Sequence, residues 1–199
     1  MSIFQLYLGL GIEHIADFKG YDHILFITAL CAVYALKQWK KVLILVTAFT
    51  IGHSITLALA TLNLIHLPTR IIELLIPVTI LITGLWNIFQ RSDTIGRTSH
   101  RFKYSTAAFF GLIHGLGFSN YLRGLLGMEE NIVLPLFSFN LGLELGQIII
   151  VLIVLLISFI LVNILGMKRR EWNLVLSGAA IGISIILVIE RIPIFFVSL

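Results

Sequence analysis

The sequence predicts an all-α integral membrane protein. It reads as one domain over residues 1–199, a bundle of six transmembrane helices plus a short N-terminal interfacial helix, with both termini outside. Three observations predict this. The chain is 58% hydrophobic and only 12% charged, with a mean hydropathy of +1.02, whereas a soluble domain carries about 25% charged residues. Apolar runs near the roughly 20 residues needed to cross a bilayer recur six times. Basic residues collect in alternate loops.

Taken in order, residues 2–18 are apolar but short and interrupted, which predicts a helix lying on or packed against the outer side. No positive stretch precedes it and no small-residue cleavage site follows, so it is expected to be retained. The spans are expected at 22–37, 42–62, 70–90, 104–126, 133–165 and 172–190. Pro77 lies one turn after Glu73 in the third and predicts a kink that frees a nearby carbonyl. The fifth run is long enough for a tilted helix plus a cap or break, with Pro135 marking that entry.

Loops 37–41 (Lys37, Lys40, Lys41), 91–103 (Arg91, Arg97, Arg101, Lys103 against Asp93) and 166–171 (Lys168, Arg169, Arg170 against Glu171) are basic. Loop 63–69 has no Lys or Arg, and loop 127–131 carries Glu129 and Glu130. The positive-inside rule therefore puts the first, third and fifth loops in the cytoplasm. Topology thus accounts for the +4 net charge and the pI near 9.4 without a nucleic-acid partner; the expected partners are the lipid bilayer and a metal ion. A single cysteine, Cys31, excludes a disulfide framework and a thiolate cluster.

Depth follows from topology. His53 lies eleven residues into the second span, about 17 Å at 1.5 Å per residue, and His114 lies ten residues after Tyr104 in the fourth. Glu73 opens the third span from outside, Asn140, Glu144 and Gln147 fall in the outer half of the fifth, and Asp22 and His23 open the first. Five spans thus place His23, His53, Glu73, His114 and Glu144 in the outer half of the membrane. Ionisable groups inside a membrane are costly and mark functional sites. Asn140, Glu144 and Gln147 recur at i, i+4, i+7 on one helix face. Glycine pairs spaced by four, Gly142/Gly146, Gly111/Gly115 and Gly178/Gly182, permit close helix approach. His66 and His100 fall in loops and are expected to face solvent.

Imidazole with carboxylate and no thiolate favours a divalent metal such as Ni, Co, Zn or Fe(II). The acids serve either as ligands or as partners that fix an imidazole tautomer. Two uses compete: a permease passing a cation inward, and a zinc-dependent intramembrane hydrolase acting on a lipid or lipid-linked substrate. A third is a metal that only holds the bundle together. Ser54 follows His53 directly, and adjacent helical residues point about 100° apart, which argues against a serine nucleophile there.

Four ordered motifs carry a resemblance. They are His14-Ile15 with Gly20-Tyr21-Asp22-His23-Ile24-Leu25-Phe26, then Phe49-Thr50-Ile51-Gly52-His53-Ser54-Ile55-Thr56-Leu57, then Phe110-Gly111-Leu112-Ile113-His114-Gly115-Leu116-Gly117-Phe118, and Phe139-Asn140-Leu141-Gly142-Leu143-Glu144-Leu145-Gly146-Gln147. Together, over nearly the whole chain, they resemble the HupE/UreJ family of hydrogenase- and urease-accessory membrane proteins, regarded as nickel or cobalt permeases. The resemblance implies that His14, Asp22 and His23 match the family's metal motif and that Glu73 and Glu144 match its intramembrane acids. Seven residues separate His14 from Asp22 here, against five in the family pattern. In one continuous helix that would swing His14 by about 200°, so its use as a ligand requires a turn at Gly20. The expected metal set is His14, Asp22, His23, His53, Glu73, His114 and Glu144, for Ni, Co or Zn, in a multi-pass protein of the bacterial inner membrane. A homo-oligomer stays open.

Overall fold

A computed structural model describes residues 2–18, 20–90, 97–126 and 131–197. The expected acids Glu129 and Glu130, and part of the basic loop, Arg91 and Asp93 included, lie outside these. The described residues form seven α-helices and no strand: α1 (Ile3–Ala16), α2 (Asp22–Cys31), α3 (Trp39–Thr61), α4 (Thr69–Phe89), α5 (Arg97–Leu126), α6 (Val133–Phe159) and α7 (Arg169–Val197). Four helical stretches are long and apolar enough to cross a membrane: Leu36–Thr61, Thr69–Phe89, Val133–Ile164 and Arg169–Ile192. Helix α5 has the length, 30 residues, but Arg97, His100, Arg101 and Lys103 make its first turns polar.

The first expected span differs most. Instead of one helix over 22–37, α2 has ten residues. That is about 15 Å, half of a ~30 Å hydrocarbon core. The apolar run continues, but the chain turns through 32–35 into a single 3-10 turn, Leu36–Gln38. Helix α1 starts at a capping box, Ser2 Oγ accepting from Gln5 N–H at 3.2 Å and Gln5 Oε1 from Ser2 N–H at 3.1 Å. It then packs lengthwise on α6, where Gly11 meets Phe139 and Gly142, and Gly146 meets Ile15. Contacts that advance in register on both chains make α1 and α6 parallel.

The same reasoning orients the rest. Helices α3 and α5 run parallel, with Gly52 against the Ala108 carbonyl, Gly111 against that of Phe49 and Gly115 against that of His53. A Cβ at any of these would collide with backbone, so the glycines permit a close approach of the two helices. Helix α4 opposes α5, joining Thr69 to Asn120 and Gln90 to Lys103. It also opposes α7, since Asn87 accepts from Asn173 while Glu73 accepts from Arg191. Gly84 provides that packing, against Ser177 and Ile181. Gly178 and Gly182, expected to pack, face open space instead. Helix α6 opposes α3. Helix α2 follows α4, with Asp22 near the Arg191 that caps Glu73 and Ala29 accepting from Asn87 Nδ2 at 2.7 Å. Helices α1 and α2 therefore run in the same sense, in tandem, with a break at 17–21. Helix α6 ends in a π-turn, Ile160–Ile164, closed by Gly166 at φ +77°, the break expected in the fifth run.

Candidate metal centre

The break between α1 and α2 builds the site. Helix α1 delivers His14 from one side and α2 delivers His23 one residue after its start, so the two rings meet at 4.6 Å between centroids. The turn that His14 required is present, and it re-aims the ring despite the longer spacing. His53 approaches from α3, 5.9 Å from His14 and 5.8 Å from His23. One nitrogen from each of these three lies within 4.8 Å of the others. Two nitrogens on one ion at ~2.1 Å lie at most ~4.2 Å apart, so the trio closes on a metal by shifts on the order of 1 Å. His114, from α5, stands 5.1 Å from His23.

These imidazoles are enclosed. His53 is 0% exposed and His114 is 1%. Phe26 and Phe49 pack on His114, and Phe118 lies 3.8 Å from His14 and stacks on Phe139. Both nitrogens of His53, Nε2 of His14, Nε2 of His23 and Nδ1 of His114 are buried without a hydrogen-bond partner. Buried polar atoms are normally satisfied, and a group in which three histidines each bring one nitrogen within 4.8 Å of the others suits a metal ion.

Thr79 orients His114. Its hydroxyl donates to the Ile76 carbonyl at 2.7 Å, which spends its one hydrogen, so His114 Nε2–H donates to Thr79 Oγ1 at 3.0 Å. That assigns the tautomer from the bonding network and leaves Nδ1 with a free lone pair, buried without a hydrogen-bond partner. Thr79 was not singled out in the sequence; its signal is an apolar-helix threonine at the depth of His114.

The acids stand apart from the rings. Asp22 pairs with Arg191 at 3.6 Å. Arg191 Nη1 also donates to the Glu73 carbonyl at 2.6 Å, the acceptor that Pro77 frees by lacking an N–H four residues on. For Glu73 it is this backbone carbonyl that is engaged. Glu144 Oε1 accepts from Thr47 at 2.6 Å, while its Oε2 is buried without a partner. Its face of α6 meets α3 as a polar ladder: Asn140 Oδ1 accepts from Ser54 at 2.7 Å and Gln147 Oε1 from Thr50 at 3.0 Å. His66 is exposed and bonds Asn63 at 2.6 Å. His100 does not lie in a loop: it belongs to α5, is half-buried, and meets Lys41 Nζ at 3.1 Å. Burial, then Lys41 and Lys103, lowers its pKa.

The model of the HupE/UreJ protein family matches residues 1–192. The chain belongs to the HupE/UreJ family. No curated protein and no solved structure matches it. As a HupE/UreJ protein it combines membrane-type apolar helices with a histidine group able to hold a metal.

Proposed function

We propose that the protein is a multi-pass inner-membrane permease for a divalent transition metal, Ni²⁺ or Co²⁺, with six crossings and both termini outside. The tandem α1–α2 makes the first crossing as two half-helices, and α3 to α7 make the others. Polypeptide breaks at mid-depth are where transporters place ion sites, because the helix interruption opens the backbone there. The observation that carries the reading is the meeting of His14, His23 and His53, from three helices, with one nitrogen of each within 4.8 Å of the others and His114 of a fourth helix 5.1 Å from His23 between ring centroids.

In this account His14, His23 and His53 take the cation, and His114 offers Nδ1 as a fourth ligand held ready by Thr79. Neutral imidazoles suit Ni²⁺ and Co²⁺ better than hard cations. Asp22 works at the entry: an arriving cation competes with Arg191 for its carboxylate. The Ser54–Asn140, Thr50–Gln147 and Thr47–Glu144 ladder gives oxygen ligands on the way inward, with Glu144 supplying a charge. No nucleotide-binding motif is present in the sequence. The membrane potential then drives entry, worth about 2.3 kcal/mol per charge per 100 mV and so about 4.6 kcal/mol for a divalent ion. A zinc hydrolase would need a carboxylate base beside the ion, and among the described residues the histidine group that could hold the ion gathers no carboxylate.

The test is uptake of radioactive nickel by cells expressing His53→Ala or His114→Ala. Both variants should reach the membrane at normal amounts and lose uptake. Unchanged uptake in both overturns the proposal.

A further inference from the structure

A second place in the bundle asks for a ligand, and it does not rest on metal transport. Helix α2 ends at Cys31, and the turn that leads to α3 follows it. There a cavity of about 140 Å³ opens, lined by Leu30, Tyr34, Thr83, Trp86, Phe102 and Lys103 among others. A single water needs only ~10–15 Å³ on the same measure, and apolar cavities do not hold water well. Trp86 and Phe102 stack at 5.4 Å and are 48% and 55% exposed, so the cavity opens sideways between α4 and α5, onto the apolar outer surface.

Its basic end carries Lys103, Lys41 and His100. Lys103 Nζ lies 5.1 Å above the Tyr34 ring and donates to Gln90 at 2.6 Å. Lys41 meets His100 at 3.1 Å. Among the described residues no carboxylate pairs with Lys41, Lys103 or His100. Burial and then Lys41 push the Lys103 amine down to about 8, the response of a cation crowded without an anion. Tyr34 is 1% exposed, and its hydroxyl has no hydrogen-bond partner.

We propose that this cavity binds an anionic phospholipid: one acyl chain fills the apolar space, the phosphate sits on Lys41 and Lys103, and an ester carbonyl accepts from the Tyr34 hydroxyl. Each part answers a separate feature. The void is lined by hydrocarbon and faces lipid. Long lysine side chains reach phosphates at the membrane surface. The phenol is a buried donor that needs an acceptor. A zwitterionic lipid would bring its own cation against these two lysines, which no carboxylate among the described residues offsets, so the site selects for net negative charge.

The test uses the full chain, purified in detergent and stripped of lipid. Native mass spectrometry and thermal unfolding are recorded with dioleoyl phosphatidylglycerol, dioleoyl phosphatidylcholine or glycerol phosphate. One phosphatidylglycerol per chain should bind at least tenfold more tightly than phosphatidylcholine and raise the unfolding temperature, while glycerol phosphate does neither. The double variant Lys41→Gln/Lys103→Gln should bind both lipids alike. Thr106→Leu, on the cavity wall, should weaken both lipids with the lysines intact. Equal binding of the two lipids by the unaltered chain overturns the proposal, as does a double variant that keeps the preference. Glycerol phosphate binding as well as the lipid does so too, because it leaves the cavity without a role.

Discussion

Replacing His53 with leucine separates a metal ligand from a structural histidine. His53 is 0% exposed and neither ring nitrogen has a hydrogen-bond partner. A buried polar group without a partner costs ~1–3 kcal/mol, so two such atoms on one ring load the metal-free chain by ~2–6 kcal/mol. Leucine fills much of the same space between Phe49 and the neighbouring rings and brings no donor or acceptor. His53→Leu should therefore be more stable than the unaltered protein in chelator, by ~2 kcal/mol or more. With nickel the order should reverse. Ligand at a hundred times its dissociation constant stabilises the unaltered chain by ~2.7 kcal/mol, and the variant should gain nothing. Reversible unfolding in mild detergent, with chelator and then with nickel, reads both numbers. A variant that is less stable in chelator, yet keeps the full gain from nickel, would refute the reasoning, since His53 would then be a packing residue.

The glycine contacts give a paired prediction. Gly115→Ala puts a methyl group against the His53 carbonyl and Thr56 Oγ1, so it should cost ~1–3 kcal/mol by overpacking and weaken metal binding by displacing His53. Gly178→Ala meets open space, and should be neutral or stabilising by up to ~1 kcal/mol through helix propensity; unfolding and metal titration distinguish the two. The lysine crowding gives a pH prediction. The Lys103 amine keeps its proton to 10.5 when unfolded but only to about 8 when folded. Its penalty on folding is thus complete below about 8 and disappears as the pH rises to 10.5. Lys41→Gln should raise the folded value, which a pH titration of isotope-labelled lysine by NMR reads directly.

Much of the site was legible because depth in an apolar chain is close to a count of residues. That count placed His23, His53 and His114 in the same outer half of the membrane, and the i, i+4, i+7 spacing put Asn140, Glu144 and Gln147 on one face, where each meets α3. Pro77 also pointed correctly to a freed carbonyl at Glu73. Arg191, which uses it, was not legible: its partners lie on α2 and α4, 169 and 118 residues away in sequence (191 − 22 and 191 − 73). The length of α2 was hidden for a different reason. Apolar composition suits a buried turn as well as a helix, and Tyr34, 1% exposed in that turn, reads the same in either. Gly178 and Gly182 show the converse, a packing pattern on a face that meets nothing among the described residues. Spacing alone does not say which side a helix presents.

The central claim is that a divalent metal is held by imidazoles gathered at the break between α1 and α2. X-ray absorption spectroscopy of the purified, nickel-loaded protein tests it most directly. The account predicts three or four imidazole ligands in the extended fine structure, falling by one in His53→Ala. A spectrum of oxygen ligands only, unchanged in His53→Ala and His114→Ala, would contradict it.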